Sequence, residues 1–565
     1  MMNVHENLLA SSLNELDHKW GKFMRSLSRE NAHFLREQIY DFPREIQHVL
    51  IEQYSTFKSD FDANTNLRKV TQRLNSLFTP LTLSHFDANE DTLRTLADKY
   101  AEKCRHIEIR ENPLTKIATS RELVNELPSS VNGQNSVNGI SNPVKEQMVF
   151  NYCTDFVNDK GIKPPKLDAT TKMKGAIERM QCKYWWLQQL RSLIHRKREQ
   201  AMILLGKVNS HNGKYCSDLT LSNRTSYKLQ QISMMERVLV VNEDGESFTL
   251  KEIYDLNISN PVNRRNELMT RIAGLEKLAR IAKHDALFVT LTCPSKYHNS
   301  FAKSGMRNPK WDGSTPYDAQ QYLNGVWRRI RAELARQEIQ QYGFRIAEPQ
   351  HDGTPHWHLL LFISPAHTEK FKKVFSEYAL QEDGNEAGAK ENRCDFVTID
   401  HSRGSAAGYI AKYVSKNIDG GNLDTDIDGG SASSAAKRVE AWASCWGIRQ
   451  FQQIGGVAIT PWRELRKLKF VASDNNELEN IRIAADKGDF AAYVSLMGGV
   501  FSKRNEQTVR PLYKEELNKI TGLLKKSWYD GLVTKKLKGI VHKGKEIITR
   551  LANWQLIYCG KAAAM

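Results

Sequence analysis

The run Pro355-His-Trp-His-Leu-Leu360 carries two histidines one residue apart, and about fifty residues later the chain reads Tyr409-Ile-Ala-Lys-Tyr413. Side chains alternate along a strand, so His356 and His358 project from one face and can hold one metal ion together. Tyr409 and Tyr413 are four apart, which on a helix places two phenols on one side. A metal site facing paired phenols is chemistry for cutting a phosphodiester with a tyrosine nucleophile.

Two imidazoles leave a metal under-coordinated, and a carboxylate is the usual complement for a hard ion that also binds phosphate. Glu348 is the candidate. A hairpin loop of odd length, such as His351-Asp352-Gly353, sets position 348 opposite 356 on the same face. With a two-residue loop Glu348 points to the other face, and the third-ligand role passes elsewhere, Gln350 being one option. A His-His-Glu site with open positions suits Mg²⁺ or Mn²⁺, which can polarise a phosphate oxygen and the leaving oxygen.

The tyrosines also depart from a packing pattern. At 100° per residue Ala407, Ile410, Ala411, Val414 and Ile418 cluster on one side of the helix, and Tyr409 and Tyr413 fall well over 100° from the middle of that stripe. Lys412 and Lys416 lie beside them, positioned to favour a phenolate or to hold a phosphate. That help matters because a free phenol, with a pKa of about 10, is a poor nucleophile at neutral pH.

The elements needed to position these groups can be read from residue 271 onward. Ile272, Leu275, Leu278, Ala279 and Ala282 mark a helical stripe, and Leu287-Phe-Val-Thr-Leu-Thr292 reads as a strand stopped by Cys293-Pro294. Tyr317 to Tyr342 is expected to be one long helix ended by Gly343, with Arg328, Arg329, Arg331 and Arg336 available to phosphates. A hairpin of 344–349 against 355–363 follows, then a helix near 370–380, a strand over 394–399 and the tyrosine helix over about 404–417. This order predicts an α+β fold with a central antiparallel sheet and flanking helices.

Composition sets the wider frame. Lys plus Arg outnumber Asp plus Glu by 81 to 65 in 565 residues, a net charge of +16, and an extended polyanion is the matching class of partner. The eight cysteines form no CxxC pair, as in a reduced cytosolic protein. No signal-peptide core and no long apolar run is present, so neither export nor a membrane span is expected. No GxxxxGK[ST] motif occurs, so unwinding of DNA is expected to need a separate helicase.

The chain is expected to divide into a helical accessory region (1–127), a flexible linker (128–143) and a mainly helical basic region (144–270). The catalytic domain (271–418), a Gly/Ser/Asp-rich linker (419–435) and a basic, mixed C-terminal region (436–565) follow. Asp424-Thr-Asp-Ile-Asp-Gly429 resembles the start of a calcium loop, but its twelfth position is Ala435, so linker is the better reading.

Three stretches together resemble a known family. Phe288-Val-Thr-Leu-Thr292, Pro355-His-Trp-His-Leu-Leu-Leu-Phe362 and Gly408-Tyr-Ile-Ala-Lys-Tyr-Val-Ser-Lys416 are similar to the three motifs of rolling-circle initiator endonucleases of the His-hydrophobic-His (HUH) superfamily. More closely, they resemble the replication gene A proteins of temperate tailed bacteriophages, as do Asn260–Met269, Thr292–His298 and Trp446–Gln452. The resemblance spans roughly 145 to 470 and implies a ferredoxin- or RRM-like HUH fold, metal binding at His356 and His358 and nucleophile roles for Tyr409 and Tyr413. It implies nicking of single-stranded DNA at the phage origin through a 5′-phosphotyrosine, later rejoining, a 3′-hydroxyl for a host polymerase, and work in the bacterial host cytoplasm beside a host helicase.

Three rivals are weighed at the level of sequence, and two tyrosines that follow the histidines disfavour the first two. A conjugative relaxase usually places its tyrosine ahead of the histidine motif, and a transposase of this kind commonly uses one tyrosine. A non-catalytic, sequence-specific DNA-binding protein would use the histidine pair structurally.

Overall fold

The computed structural model describes residues 16–78, 86, 89–110, 142–167, 172–400, 402, 404–421, 432–470, 476–518, 521–527 and 529–558. The residues divide into two compact units, 1–201 with 515–536 and 202–514 with 537–565. Residues 128–141 of the expected linker and the Asp424–Gly429 stretch lie outside the described residues.

The first unit is built mainly of helices, including Arg29–Ile39, Arg44–Ser55, Asp60–Phe78 and Glu90–Arg110. Their apolar stripes meet inside, with Leu35, Ile46, Leu74 and Ala101 fully buried. Trp186, in the helix Lys183–Leu204, is also fully buried and packs on Tyr100 and Phe156. These aromatics are core. No helix among the described residues is long and apolar enough to cross a membrane.

The second unit holds a five-stranded antiparallel sheet. Its strands are β1 (Asp285–Leu291), β2 (Gln341–Pro349), β3 (Pro355–Ile363), β4 (Cys394–Thr398) and β5 (Phe451–Ile454), in the spatial order β4-β1-β3-β2-β5. The near-continuous apolar run of β3 is explained by its central place, covered on both faces. Helices α1 (Pro261–Ile281) and α4 (Ala406–Ile418) close one face over Phe288, Phe344, Ile346, Leu360 and Phe362. Helices α2 (Pro316–Arg336) and α3 (Thr368–Ala379) lie on the other, where the Trp357 indole donates to Gln320 at 3.1 Å and Phe375 meets Phe396. The fold is therefore α+β, as predicted.

The expected helix from 317 to 342 is shorter in the structure. It starts in a capping box between Thr315 and Asp318 with Pro316 at its first position, and it ends at Arg336. The apolar spacing continues through Ile339 and Tyr342, but Glu338 turns left-handed (φ 55°) and β2 begins at Gln341. Gly343 lies inside β2 (φ 152°), so close to the Leu360 carbonyl that no Cβ fits. The sheet also extends past residue 418, because β5 pairs with β2 from Gly343–Ile454 to Ile346–Phe451.

The tyrosine helix is fixed at both ends to α1. At its start Ser405 caps Gly408, and the buried Glu276 carboxylate accepts from the Ala406 and Ala407 amides at 2.9 Å each. An anion at a helix N-terminus meets both the orphan N–H groups and the positive end of the dipole. At its end Arg265 forks onto Asp419 at 2.7 and 2.8 Å. Glu276→Ala is expected to cost about 1–3 kcal/mol, because buried amides lose their acceptor. Urea unfolding measures this, and a loss below about 0.5 kcal/mol would show that water replaces the carboxylate without penalty.

Candidate metal and tyrosine site

The hairpin sets the register of the histidines. The Gln350 amide donates to Thr354 O at 2.8 Å, which leaves His351-Asp352-Gly353 as the three-residue turn, with Gly353 left-handed at φ 82°. Glu348 then pairs directly with His356, and Ile346 with His358. The turn is held from outside. Fully buried Asp352 accepts from the Asn299 amide, and its carboxylate lies 3.1 Å from His298 Nδ1, while the Trp442 indole donates to Gly353 O at 2.7 Å.

Three potential ligand atoms converge as a result. His356 Nε2 and His358 Nε2 are 2.9 Å apart, His358 Nε2 is 3.9 Å from Glu348 Oε2, and all three ligand atoms lie within 4.8 Å of one another. Two nitrogens each about 2.1 Å from an ion and roughly at right angles stand about 3 Å apart, so the donor set fits one small divalent cation. Glu348, only 1 % exposed, completes the set, and Gln350 is not needed. Thr290 Oγ1 lies 3.2 Å from His358 Nδ1, leaving Nε2 to face the cluster.

Both imidazoles are held neutral, the form that binds a metal. Burial lowers His358 to about 3, with the Lys416 ammonium adding repulsion. Burial, then His358 and Lys416, takes His356 well below its ordinary 6.5. The sign follows directly. Between about 6.5 and 3 the unfolded chain gains a proton at position 358 that the folded chain refuses, so acidification through that window destabilises the fold. Metal-free protein in EDTA is expected to lose up to about 1.4 kcal/mol per pH unit at this position below pH 6.5. His358→Gln should remove that slope between pH 6.5 and 5, and melting curves of variant and parent that shift in parallel would refute it.

Tyr413 is half-buried, with its ring centroid 4.4 Å from that of His358 and 5.1 Å from that of Phe288. Tyr409 is 43 % exposed, edge-on to Phe288 at 4.7 Å and 6.5 Å from the Tyr413 ring. Burial, then Tyr409 and Glu348, pushes the Tyr413 phenol up to about 12. Both rings thus meet the face that carries the histidines, but unequally: one rests on the cluster and the other borders solvent.

The two lysines separate. Lys412 is exposed, whereas Lys416 is 7 % exposed, 3.7 Å from Glu348 Oε2 and 5.3 Å from the Tyr215 ring centroid. Lys416 therefore neutralises the glutamate rather than standing free beside a phenol. Asn417 was not singled out by the sequence reading. Its amide donates to Glu348 Oε1 and, at 2.7 Å, to Tyr413 O, linking the third ligand to the tyrosine helix. A polar residue on the buried side of α4 was the available signal.

An antiparallel sheet with a His-His-Glu cluster facing two helical tyrosines defines the class: an α+β protein with a candidate metal centre beside paired phenols. Residues 114–421, more than half of the chain, match the bacteriophage replication gene A protein (GPA) family, and the chain belongs to that family. It is 38 % identical over 418 residues to the replication gene A protein of Escherichia phage 186, covering 70 % of this chain and 59 % of that relative. With the replication gene A protein of Escherichia phage P2 the identity is 38 % over 379 residues, 63 % of this chain and 50 % of the relative. A probable replication endonuclease from a prophage-like region of Salmonella paratyphi A is 33 % identical over 360 residues, 61 % and 45 % of the two chains. The chain thus spans about half to three fifths of the length of these relatives. No solved structure matches it.

Proposed function

We propose that the protein initiates rolling-circle replication of a phage genome as a metal-dependent, site-specific endonuclease and strand transferase acting on single-stranded origin DNA. The observation that carries this reading is the Tyr413 ring against His358, with Tyr409 one helical turn away on the same side. In the cutting step a phenol oxygen attacks the phosphorus, the P–O3′ bond breaks, the phenol proton passes to solvent, and the departing oxygen leaves as a 3′-hydroxyl. The products are a 5′-phosphotyrosine and a primer end for a host polymerase, and attack of a 3′-hydroxyl on the phosphotyrosine reverses the step and joins the strand.

His356, His358 and Glu348 would hold Mg²⁺ or Mn²⁺. The ion would neutralise phosphate charge and assist the leaving oxygen. Lys416 and Asn417 hold the Glu348 carboxylate, and Thr290 holds His358. Exposed Lys412 is free to meet a phosphate. The host cytoplasm is the proposed setting, with a host helicase opening the duplex.

Incubation of the whole chain with a labelled origin oligonucleotide and Mg²⁺ or Mn²⁺ tests the reading. A covalent protein-DNA adduct supports it, and a shifted band without an adduct identifies a binder that does not cut.

A further inference from the structure

Where β5 leaves the sheet, a recess of about 390 Å³ opens at the sheet edge, lined by Arg271, Arg449, Gln453, Gly456, Ser502 and Arg504 among others. Among the described residues no Asp or Glu lines it, and neither Arg449 nor Arg504 has a carboxylate partner. Glu267 lies 3.6 Å from Arg271, but both its oxygens are already forked by Arg463 at 2.9 and 2.7 Å. One carboxylate thus serves two guanidiniums while two more cations stand uncompensated. Burial, and then repulsion from Arg463 and Arg449 against the pull of Glu267, lowers Arg271 to about 10. Charge crowded in a recess is relieved by an anion.

The recess is also organised. Gln453 Oε1 accepts from Arg271 Nε at 3.1 Å, and its Nε2 donates to Gly455 O at 3.0 Å, so the amide aims the guanidinium. Arg449 Nε donates to Phe451 O at 3.1 Å and leaves its terminal nitrogens without a partner among the described residues. Gly455 and Gly456 are both left-handed, at φ 65° and 72°, and a Cβ on Gly455 would meet Tyr342 at 2.8 Å. Among the described residues the outer edge of β5 pairs with no strand.

Position points to a polymer rather than a small anion. Gln453 pairs with Phe344, four residues before Glu348 on the same face, about 13 Å away at strand rise. The two places are joined, because Ala347 N–H donates to Gln450 O at 2.8 Å, Gln450 to Asn417 O at 3.2 Å, and Asn417 to Glu348. A strand held at the metal cluster and lying along the sheet edge carries its phosphates to the arginines.

We propose that Arg271, Arg449 and Arg504 form a phosphodiester-binding pocket that grips the DNA strand flanking the scissile bond. This rests on the nuclease reading for its substrate. Arg449 and Arg504 are exposed, so changing them leaves the core intact.

The test is anisotropy of a fluorescent single-stranded oligonucleotide with the full chain in EDTA, so that binding is read without cleavage. Arg449→Ala/Arg504→Ala should weaken binding about tenfold and reduce the slope of log affinity against log salt by about 1.4, roughly 0.7 per lost contact. Lys370→Ala/Lys373→Ala on α3, with the same loss of charge, should change either value far less. Equal effects from the two pairs, or an unchanged slope in the arginine pair, overturn the pocket while leaving the nuclease reading standing. Inorganic phosphate or a mononucleotide competing as strongly as the oligonucleotide also overturns it, in favour of a small-anion site. A parent protein that binds no single strand sinks both readings.

Discussion

Replacing both Tyr409 and Tyr413 with Phe should abolish the covalent adduct, while either single replacement leaves an adduct that cannot complete repeated rounds. Phe retains the ring, so the packing of residue 413 against His358 and Phe288 survives and the change isolates the hydroxyl. One phenol suffices for a single transesterification, whereas a cycle that holds the old 5′ end while cutting the regenerated origin needs two. Peptide mapping of the adduct and a multi-turnover joining assay read the two levels. Label on any residue other than Tyr409 or Tyr413, or an adduct persisting in the double variant, refutes the mechanism.

His356→Ala with His358→Ala should reduce cleavage by about a thousandfold, the equivalent of about 4 kcal/mol of lost charge stabilisation, and EDTA should do the same to the parent. Oligonucleotide affinity in EDTA should change little, because on the proposed reading phosphate contacts come from Lys and Arg elsewhere. The two imidazoles touch each other at 2.9 Å, so an alternative of simple structural pairing predicts a falling melting temperature instead. Undiminished cleavage in the double variant, or indifference to EDTA, removes the metal from the mechanism. Isothermal titration with Mn²⁺ separates the cases, since heat seen with the parent should vanish with the variant.

Periodicity explains what could be read in advance. The two-residue period of 355–363 placed both histidines on one face, but the loop length stayed open between odd and even until the Gln350–Thr354 closure fixed three residues and brought Glu348 across. The helical phase of 406–418 put the tyrosines off the apolar stripe, although Tyr413 still covers part of the core edge. Local pattern misled where packing decided. Ile339 and Tyr342 continue a helical spacing, yet the close approach of Gly343 to Leu360 requires a strand. Contacts across long separations left no local trace in two cases, Glu276 capping α4 across 130 residues and the edge strand β5 beyond the Gly/Ser/Asp-rich stretch, whereas Asn417 on Glu348 left only a polar residue within the apolar stripe. Lys416 was expected beside the phenols from helical proximity, but its stem turns inward to the carboxylate.

The clamps at both ends of α4 limit how two phenols could share a task. With Glu276 holding the first turn and Arg265 the end, rocking the helix to present its tyrosines alternately would break contacts at both ends. Within the proposed cleavage cycle the tucked phenol and the outer one would then keep their unequal places, as on a fixed anvil. In that cycle an exchange of roles would fall to the DNA, whose reacting end would travel the four-residue rise between the two positions, a stroke of about 6 Å.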